Sequence, residues 1–378
     1  MIMNLRLRLL PKADVVIYDD VGAYYINQCI PDNNHVYVFK VRRRIIFLDL
    51  RLIPYIIYGL CQRFGKNNKY WKRASLRVIY EYAVLKIIKP KIITTFVDNS
   101  SRFSLLSRLL TSIRFMGVQN GYRATEIKEM SNYLCLTELF CFGRETRDNY
   151  LKYGCDVGRY HIIGSLKDGL YREKIQPVTD GQRYDICFIS QYRPSRFEES
   201  MPMLRENTEN ILNLLIRFSK EQGKTICIAG SCKPSESKLE ENYYRNAMED
   251  AFYDFICNDE YKYSSYSLID RSEVSVTVNS TVGIESVGRG KKVLFCNLSD
   301  DKYYNLPSHI GKGLWVLDKR GKSYQVFSTR LSHILDIRPD EWWTSVSEYV
   351  EYLIHCSNDI LPQESISYEM IKTLETKI

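Results

Sequence analysis
The stretch from Val276 to Phe295 reads VTVNSTVGIESVGRGKKVLF. A β-branched run ends in Asn279, Ser280 and Thr281, and a helix-like segment with an early carboxylate, Glu285, comes next. Such a junction can do chemistry. A Ser or Thr hydroxyl at a helix entrance accepts from backbone N–H groups. The N–H groups beyond it, together with the helix dipole, attract an anion. Gly283 would let a ligand approach the backbone closely. Glu285, about one turn inside, can accept hydrogen bonds from a ribose diol while the helix entrance holds a phosphate. A capping box, in which the hydroxyl and the acid only stabilise the helix, is the plainer alternative.

The same residue types recur where other apolar runs end: Asp19 and Asp20, Asp98 and Asn99, Gln119 and Asn120, Ser190 and Gln191, Gly230 and Ser231. Apolar runs predict strands within 13–20, 33–41, 91–103, 114–123, 133–143, 160–169, 184–193, 224–234 and 274–278. Helical spacing marks 75–90, 104–113, 145–154, 208–223 and 243–256, with helical pieces around 323–335 and 340–356. A polar stretch at 172–183 separates the two series. Strand and helix alternating twice predict an α/β chain of two doubly wound, Rossmann-like domains, with ligands outside the carboxyl ends of the strands. The expected division is 1–170, 184–330, and C-terminal helices over 331–378 that pack back on the first domain.

Composition narrows the partners. The chain has 378 residues, 45% hydrophobic and 26% charged, as a soluble globular protein does. Its 29 Tyr could line a polar ligand site or simply pack. Eleven Cys are scattered without a CxxC pair, which reads as reduced thiol in a cytoplasmic protein. Five dispersed His suggest no metal site, and no cofactor is expected. Net charge is +8, and eleven Lys or Arg fall between Lys40 and Arg77 against one acid, Asp49. Aromatic and aliphatic residues interleave there, which favours a basic amphipathic surface against the inner membrane face over a merely solvated one. No nucleic-acid module is visible. No apolar stretch is long and charge-free enough to be a transmembrane helix, and the N-terminus lacks the marks of a signal peptide.

Several motifs carry a family resemblance. Ser280-Thr-Val-Gly-Ile-Glu285 looks like the S/T-x-G-x-E element of bacterial surface-polysaccharide enzymes. Arg289-Gly-Lys-Lys and the apolar run after it resemble the sequence beyond the donor-site helix of GT-B glycosyltransferases. TTFVDNSSRF, VQNGYR, CFGRETRDNYLKYG, HIIGSLKDG and YDICFISQYR occur in that order. Together, over about Ala13 to Asn297, they resemble bacterial surface carbohydrate biosynthesis proteins, a GT-B-like group that includes capsule and O-antigen transferases. The resemblance implies two facing Rossmann-like domains with a cleft between them, an N-terminal one for the acceptor and a C-terminal one for a nucleotide-sugar donor. Related folds handle CMP-linked ulosonic acids such as Kdo, and CDP-linked glycerol or ribitol. The His-Pro motif of CDP-glycerol polymerases is missing, which lowers that option.

The expected activity is metal-independent glycosyl transfer to a glycan or lipid-linked glycan. Such transfer needs a group for the acceptor proton and cations for the leaving phosphate. Asp98 is the favoured base, then Asp19 and Asp20. Glu145 resembles the acid after the family's Phe-Gly, although helix capping explains it equally. Asn99, Gln119, Asn120 and Arg123 are candidates for the acceptor. Ser190, Gln191, Arg193, Gly230, Ser231, Lys233, Asn279, Ser280, Thr281, Gly283 and Glu285 are candidates for the donor. Two alternatives stand beside this reading: phosphotransfer from a CDP-polyol, and a non-catalytic glycan- or lipid-binding protein of the same fold. A dehydrogenase is disfavoured because no strand leads into Gly-x-Gly-x-x-Gly.

Overall fold
Val15–Tyr18, Ile92–Thr95, Ile226–Ala229 and Val293–Cys296 are buried at every position. That pattern belongs to strands covered on both faces, as in parallel sheets flanked by helices. The computed structural model describes residues 4–7, 9–43, 45–65, 69–123, 127–174, 183–194, 197, 201–248, 253–299, 301–304, 306, 313–357 and 359–376. Two units result, one of Met1–Leu170 with Ser357–Ile378 and one of Tyr171–Cys356.

The first unit contains β1 (Asn4–Leu7), β2 (Val15–Tyr18), α1 (Ala23–Asn27), β3 (Val36–Phe39), β4 (Ile45–Leu48), α2 (Ile53–Phe64), α3 (Lys69–Arg73), α4 (Leu76–Ile88), β5 (Ile92–Thr95), α5 (Ser101–Leu109), β6 (Arg114–Val118), α6 (Ile127–Met130), β7 (Cys135–Cys141), α7 (Arg144–Lys152) and β8 (Asp156–Ile162). Six of its strands form a parallel sheet in the order β3-β2-β5-β6-β7-β8, and β1 pairs with β4 apart from it. The core stacks Tyr18 on Phe103, with ring centroids 5.3 Å apart, and Phe103 on Phe115 at 5.1 Å. α4 starts where the Ser75 hydroxyl accepts from Val78 N at 3.3 Å. It stops at Lys89, whose φ of 54° breaks the helix before Pro90.

α8 (Leu166–Lys174) spans the boundary between the units. The second unit continues with β9 (Tyr184–Ile189), α9 (Pro202–Gln222), β10 (Ile226–Ala229), α10 (Ser237–Met248), β11 (Tyr253–Ile256), α11 (Ser264–Asp270), β12 (Ser272–Thr277), α12 (Thr281–Gly288), β13 (Val293–Cys296), β14 (Val316–Leu317), α13 (Tyr324–Asp336) and α14 (Pro339–Leu353). Its parallel sheet runs β11-β10-β9-β12-β13-β14. The last helix, α15 (Pro362–Glu375), belongs to the first unit. The α/β, doubly wound class is therefore as the sequence predicts.

Some expectations need correction. Only part of 331–378 joins the first unit, because α13 and α14 bury Phe327, Leu331, Trp342 and Val346 in the second. The stretch 243–256 is not helical throughout: its end is strand β11, which pairs with β10. The loop expected after the strand within 160–169 is mostly α8. Helix α11 forms where the sequence pattern predicts none.

α15 is held by a buried charge cluster. Arg114 bonds Glu138, and its guanidinium reaches Glu369 Oε2 at 3.1 Å and the Glu369 carbonyl at 3.1 Å. His161 Nε2 lies 3.0 Å from Glu138 Oε2. Lys91 Nζ donates to the Leu374 carbonyl at 2.6 Å. Ligand-type atoms of Glu138, His161 and Glu369 come within 4.8 Å of one another. The Arg114 guanidinium already engages both carboxylates, so the trio reads as an ion network rather than a metal centre. Burial opposes ionisation of Glu369, but bonds from Lys372 and Arg114 and the nearby His161 hold its pKa below the usual carboxylate range. That contribution to stability is present above the unfolded-state carboxylate range and is lost as pH falls through the lower folded value. Arg114→Leu strands two buried carboxylates and is expected to cost about 3–5 kcal/mol in chemical denaturation; a loss below about 1 kcal/mol would mean the network is effectively solvated.

Candidate functional site
The order β10-β9-β12 sets three carboxyl ends side by side in the second unit. One buried acid, Glu240 of α10, builds the loops there. Its carboxylate accepts from Ser190 Oγ at 2.5 Å, from the backbone N–H groups of Ser231 and Cys232 at 2.9 and 2.8 Å, and from Ser231 Oγ at 3.0 Å. Tyr244 Oη donates to Ser190 Oγ at 2.7 Å. Ser190 and Ser231 are thus structural links. Their hydroxyls, expected to meet a donor, are committed within the protein.

Gln191 ties two strand ends together. Its Oε1 accepts from Asn279 N at 3.0 Å and Thr277 Oγ1 at 3.2 Å, and its Nε2 donates to Asn279 Oδ1 at 3.0 Å. Gln191 and Asn279 therefore shape the approach to α12. Arg193 is exposed; its Nη1 donates to Ser231 Oγ at 2.8 Å and the Tyr192 carbonyl at 2.7 Å. Lys233 is exposed on the next loop, and Gly230 lies against the carbonyl of Ile256, 3.0 Å from where a Cβ would sit.

The entrance of α12 bears on the choice between a capped and an open helix end. Ser280 sits at the N-cap position with φ −59° and ψ 136°, and its own side chain makes no capping hydrogen bond. Ile284 N donates to the Ser280 carbonyl at 3.2 Å, so intrahelical bonding starts there. The N–H groups of the first turn, beginning at Thr281, have no intrahelical acceptor. With Ser280 as N-cap the third helical position is Gly283, so Glu285 is not placed for a capping box; Tyr266 Oη donates to its Oε2 at 2.6 Å. Arg289 stands over the Tyr266 ring at 5.3 Å and pairs with Asp270 at 3.1 Å. Gly283 answers to packing rather than ligand approach: a Cβ there would lie 3.0 Å from Thr277 Cγ2 and 3.1 Å from Phe295 Cε1.

In the first unit the order β2-β5-β6-β7 gathers the other candidates. Asp98 is 1% exposed. Its Oδ1 accepts from Arg123 Nη2 at 2.7 Å, and the same nitrogen donates to Asn120 Oδ1 at 2.7 Å. Asp98 Oδ2 is buried and has no hydrogen-bond partner among the described residues. An orphaned buried acceptor is uncommon. The Asn99 carbonyl accepts from Tyr133 Oη at 3.2 Å. Asp19 takes a positive φ of 95° and pairs with Arg42 at 2.6 Å. Gln119 is spent on the backbone: Phe142 N donates to its Oε1 at 2.8 Å and its Nε2 donates to the Gly121 carbonyl at 3.0 Å. It braces β6 and β7 and does not present its amide to an acceptor.

Glu145 lies in the first turn of α7, bonded by Asn149 Nδ2. Burial pushes its carboxyl from 4.5 up to about 7, against the Asn149 bond and with help from Asp148. It is thus a buried acid poised to exchange a proton near neutrality. The strand-end pattern does not single out Glu240, Tyr244 or Tyr266. Each lies on a helix rather than at a strand end, and only the abundance of Tyr hints at two of them.

The Glu145 shift has a signed consequence. A carboxyl whose folded pKa is raised contributes stability that is complete below its ordinary 4.5 and is lost as pH rises through about 7. Glu145→Gln keeps an acceptor for Asn149 and removes the ionisation. The variant's Tm relative to the parent should rise between about pH 5 and about pH 8, equivalent to at most about 3 kcal/mol. An equal difference at both pH values would contradict a buried neutral acid.

Comparison with known proteins places the architecture. The UDP-GlcNAc 2-epimerase of Neisseria meningitidis bound to UDP-GlcNAc is 15% identical, with a TM-score of 0.55 over 95% of this chain and 98% of that one. The Methanocaldococcus jannaschii UDP-GlcNAc 2-epimerase in complex with UDP-GlcNAc and UDP is 12% identical, with a TM-score of 0.58 over 95% and 99%. The S. aureus MnaA–UDP co-structure is 10% identical, with a TM-score of 0.54 over 94% of each chain. These similarities establish the fold, GT-B with two Rossmann-like domains. No curated protein matches the chain. A family model described as "putative O-antigen biosynthesis protein" matches residues 116–359. With most of its length matched, the chain belongs to that O-antigen biosynthesis family.

Proposed function
We propose that the protein is a glycosyltransferase of surface-polysaccharide assembly, moving a sugar from a nucleotide-activated donor to a glycan acceptor. The observation that carries this reading is the entrance of α12. A helix entrance whose Ser280 side chain makes no capping bond, with Glu285 one turn inside and fixed by Tyr266, suits a phosphate and a ribose on one segment. Membership of an O-antigen biosynthesis family supports the polysaccharide role.

In this reading the second unit binds the donor. Arg193 and Lys233, exposed on adjacent loops, neutralise the departing phosphate together with the helix end. The first unit serves the acceptor. Asp98 takes the proton of the acceptor hydroxyl as that oxygen bonds to the anomeric carbon. The bond from that carbon to the donor phosphate breaks, and the nucleotide leaves with the electron pair. Arg123 and Asn120 position Asp98, and Asp19 is held away from this role by Arg42. The transfer runs on the cytoplasmic side, at the inner membrane face.

A CMP-activated ulosonic acid such as Kdo fits the cationic surface because it offers both a phosphate and a sugar carboxylate. A UDP-sugar is the competing donor, since the structural neighbours are named for UDP and UDP-GlcNAc. Thermal-shift titration with CMP, CDP, UDP and GDP separates them. A second reading, epimerisation of a sugar nucleotide, gains support from those neighbours and from Glu145, whose pKa of about 7 suits a proton shuttle. Product analysis without any acceptor distinguishes it: an epimerase converts the sugar nucleotide alone, a transferase does not.

Two variants test the roles. Glu285→Ala should weaken nucleotide binding about 10- to 100-fold with the fold intact, and unchanged affinity would remove the ribose contact. Asp98→Asn should lower transfer by at least about 100-fold while donor affinity holds. A fully active Asp98→Asn protein would take Asp98 out of the chemistry.

A further inference from the structure
The first unit holds a cavity of about 520 Å³ with basic walls. That volume falls within the range of small-molecule sites, about 300–1,000 Å³. Lys69 and Arg73 of α3 and Arg102 and Arg108 of α5 line it, and among the described residues no acid does. Arg102 pairs with Glu81 at 2.9 Å and Arg108 with Asp156 at 2.8 Å. Glu81 also answers Arg77 at 3.1 Å, so one buried carboxylate serves two guanidinium groups. Lys69 and Arg73 have no ion-pair partner among the described residues, and both are exposed. They stand four positions apart on one helix, where like charges repel. The positive charge at the walls therefore exceeds what the neighbouring acids compensate.

The backbone adds to this field. Ser75 begins α4, its hydroxyl accepting from Val78 N at 3.3 Å, and Ser100 begins α5, its hydroxyl accepting from Phe103 N at 3.3 Å. Ser75 and Val78 reach the wall from α4, and Ser101 from α5. Two helices thus start at the cavity and turn their positive ends towards it. Guanidinium groups, an ammonium and helix N-termini share one preferred ligand, the phosphate group. A phosphate also brings nearly two charges where a carboxylate brings one. Tyr70, Asn132 and Tyr133 complete the wall with hydroxyl and amide groups, the types that hydrogen-bond sugar hydroxyls.

The cavity adjoins the loop that carries Asp98. Ser101 follows Asp98 by three residues, at most about 11 Å of chain. Tyr133 donates to the Asn99 carbonyl at 3.2 Å. We propose that this cavity is a binding site for the phosphate of a phosphorylated saccharide, held in the first unit beside the Asp98 loop. It is a second anion site, apart from the entrance of α12 in the second unit. The inference does not depend on the transferase reading, so the two can fail separately.

The test is titration calorimetry of the full chain with glucose 1-phosphate, inorganic phosphate and glucose, in the presence of CMP or UDP. Glucose 1-phosphate should bind with nucleotide present, more tightly than inorganic phosphate, and more weakly as salt rises; glucose should not bind. Lys69→Gln with Arg73→Gln should weaken glucose 1-phosphate at least about tenfold, as expected from losing charge-assisted bonds. Arg102 and Arg108 stay in place because they also answer Glu81 and Asp156. The double variant should keep the parent's Tm, and the charge-conserving pair Lys69→Arg with Arg73→Lys should keep its affinity. Glu285→Ala should leave glucose 1-phosphate binding unchanged. Equal binding by the parent and the Gln variant overturns the proposal, as does displacement of glucose 1-phosphate by CMP or UDP, or no binding of it at all. Inorganic phosphate that binds as tightly as glucose 1-phosphate would assign the cavity to a free anion and overturn the saccharide ligand.

Discussion
A parallel sheet delivers every strand's carboxyl end to the same edge, and that edge must be built from loops whose polar groups find partners. In the second unit the constraint is met by Glu240. A single buried carboxylate collects the Ser190 and Ser231 hydroxyls and the N–H groups of Ser231 and Cys232, and so fixes the loops after β9 and β10. Gln191 then joins the end of β9 to the segment between β12 and α12. With these loops bonded from within, α12 begins at Ser280, whose side chain makes no capping bond. The functional reading depends on that difference between loops bonded from within and a helix entrance that Ser280 does not cap.

The first unit uses buried charge in two ways. Arg114 compensates Glu138 and Glu369 and anchors α15 against the sheet, while Glu81 takes Tyr18 Oη at 2.6 Å and the guanidinium groups of Arg77 and Arg102. Those acids are matched by partners, as buried charges must be. Asp98 is matched only on Oδ1, and its other oxygen is left in a buried position without a bond among the described residues. Glu145 takes a third course, staying protonated up to about pH 7 because burial disfavours its charge. Incomplete or shifted acids at strand ends, set among fully compensated ones elsewhere, are where chemistry is expected.

The fold is legible in the sequence because its strands are continuous β-branched runs and its helices are long enough to show a period. β2, β5, β9, β10, β12 and β13 are all visible this way. β11 is not, since its four residues come directly after a helical pattern and only pairing with β10 decides its state. The exact place of α15 is not local information either, because it is fixed by Arg114 and Lys91, more than two hundred residues earlier in the chain, a contact no local window contains. Within the site, strand ends identify the right neighbourhoods but not the roles. Ser190, Gln119 and Gly283 have the residue types of ligand contacts and serve instead as a buried link, a backbone brace and a packing gap. Which polar group is spent internally depends on partners such as Glu240 and Tyr266, and these lie on helices, outside the strand-end pattern.

Amide hydrogen exchange with and without nucleotide tests the central claim most directly, because first-turn N–H groups without intrahelical acceptors exchange readily until an anion takes them up. The account predicts that CMP or UDP slows exchange over residues 280–285 more than anywhere else in the chain. Nucleotide binding that protects another segment and leaves 280–285 unchanged would contradict it.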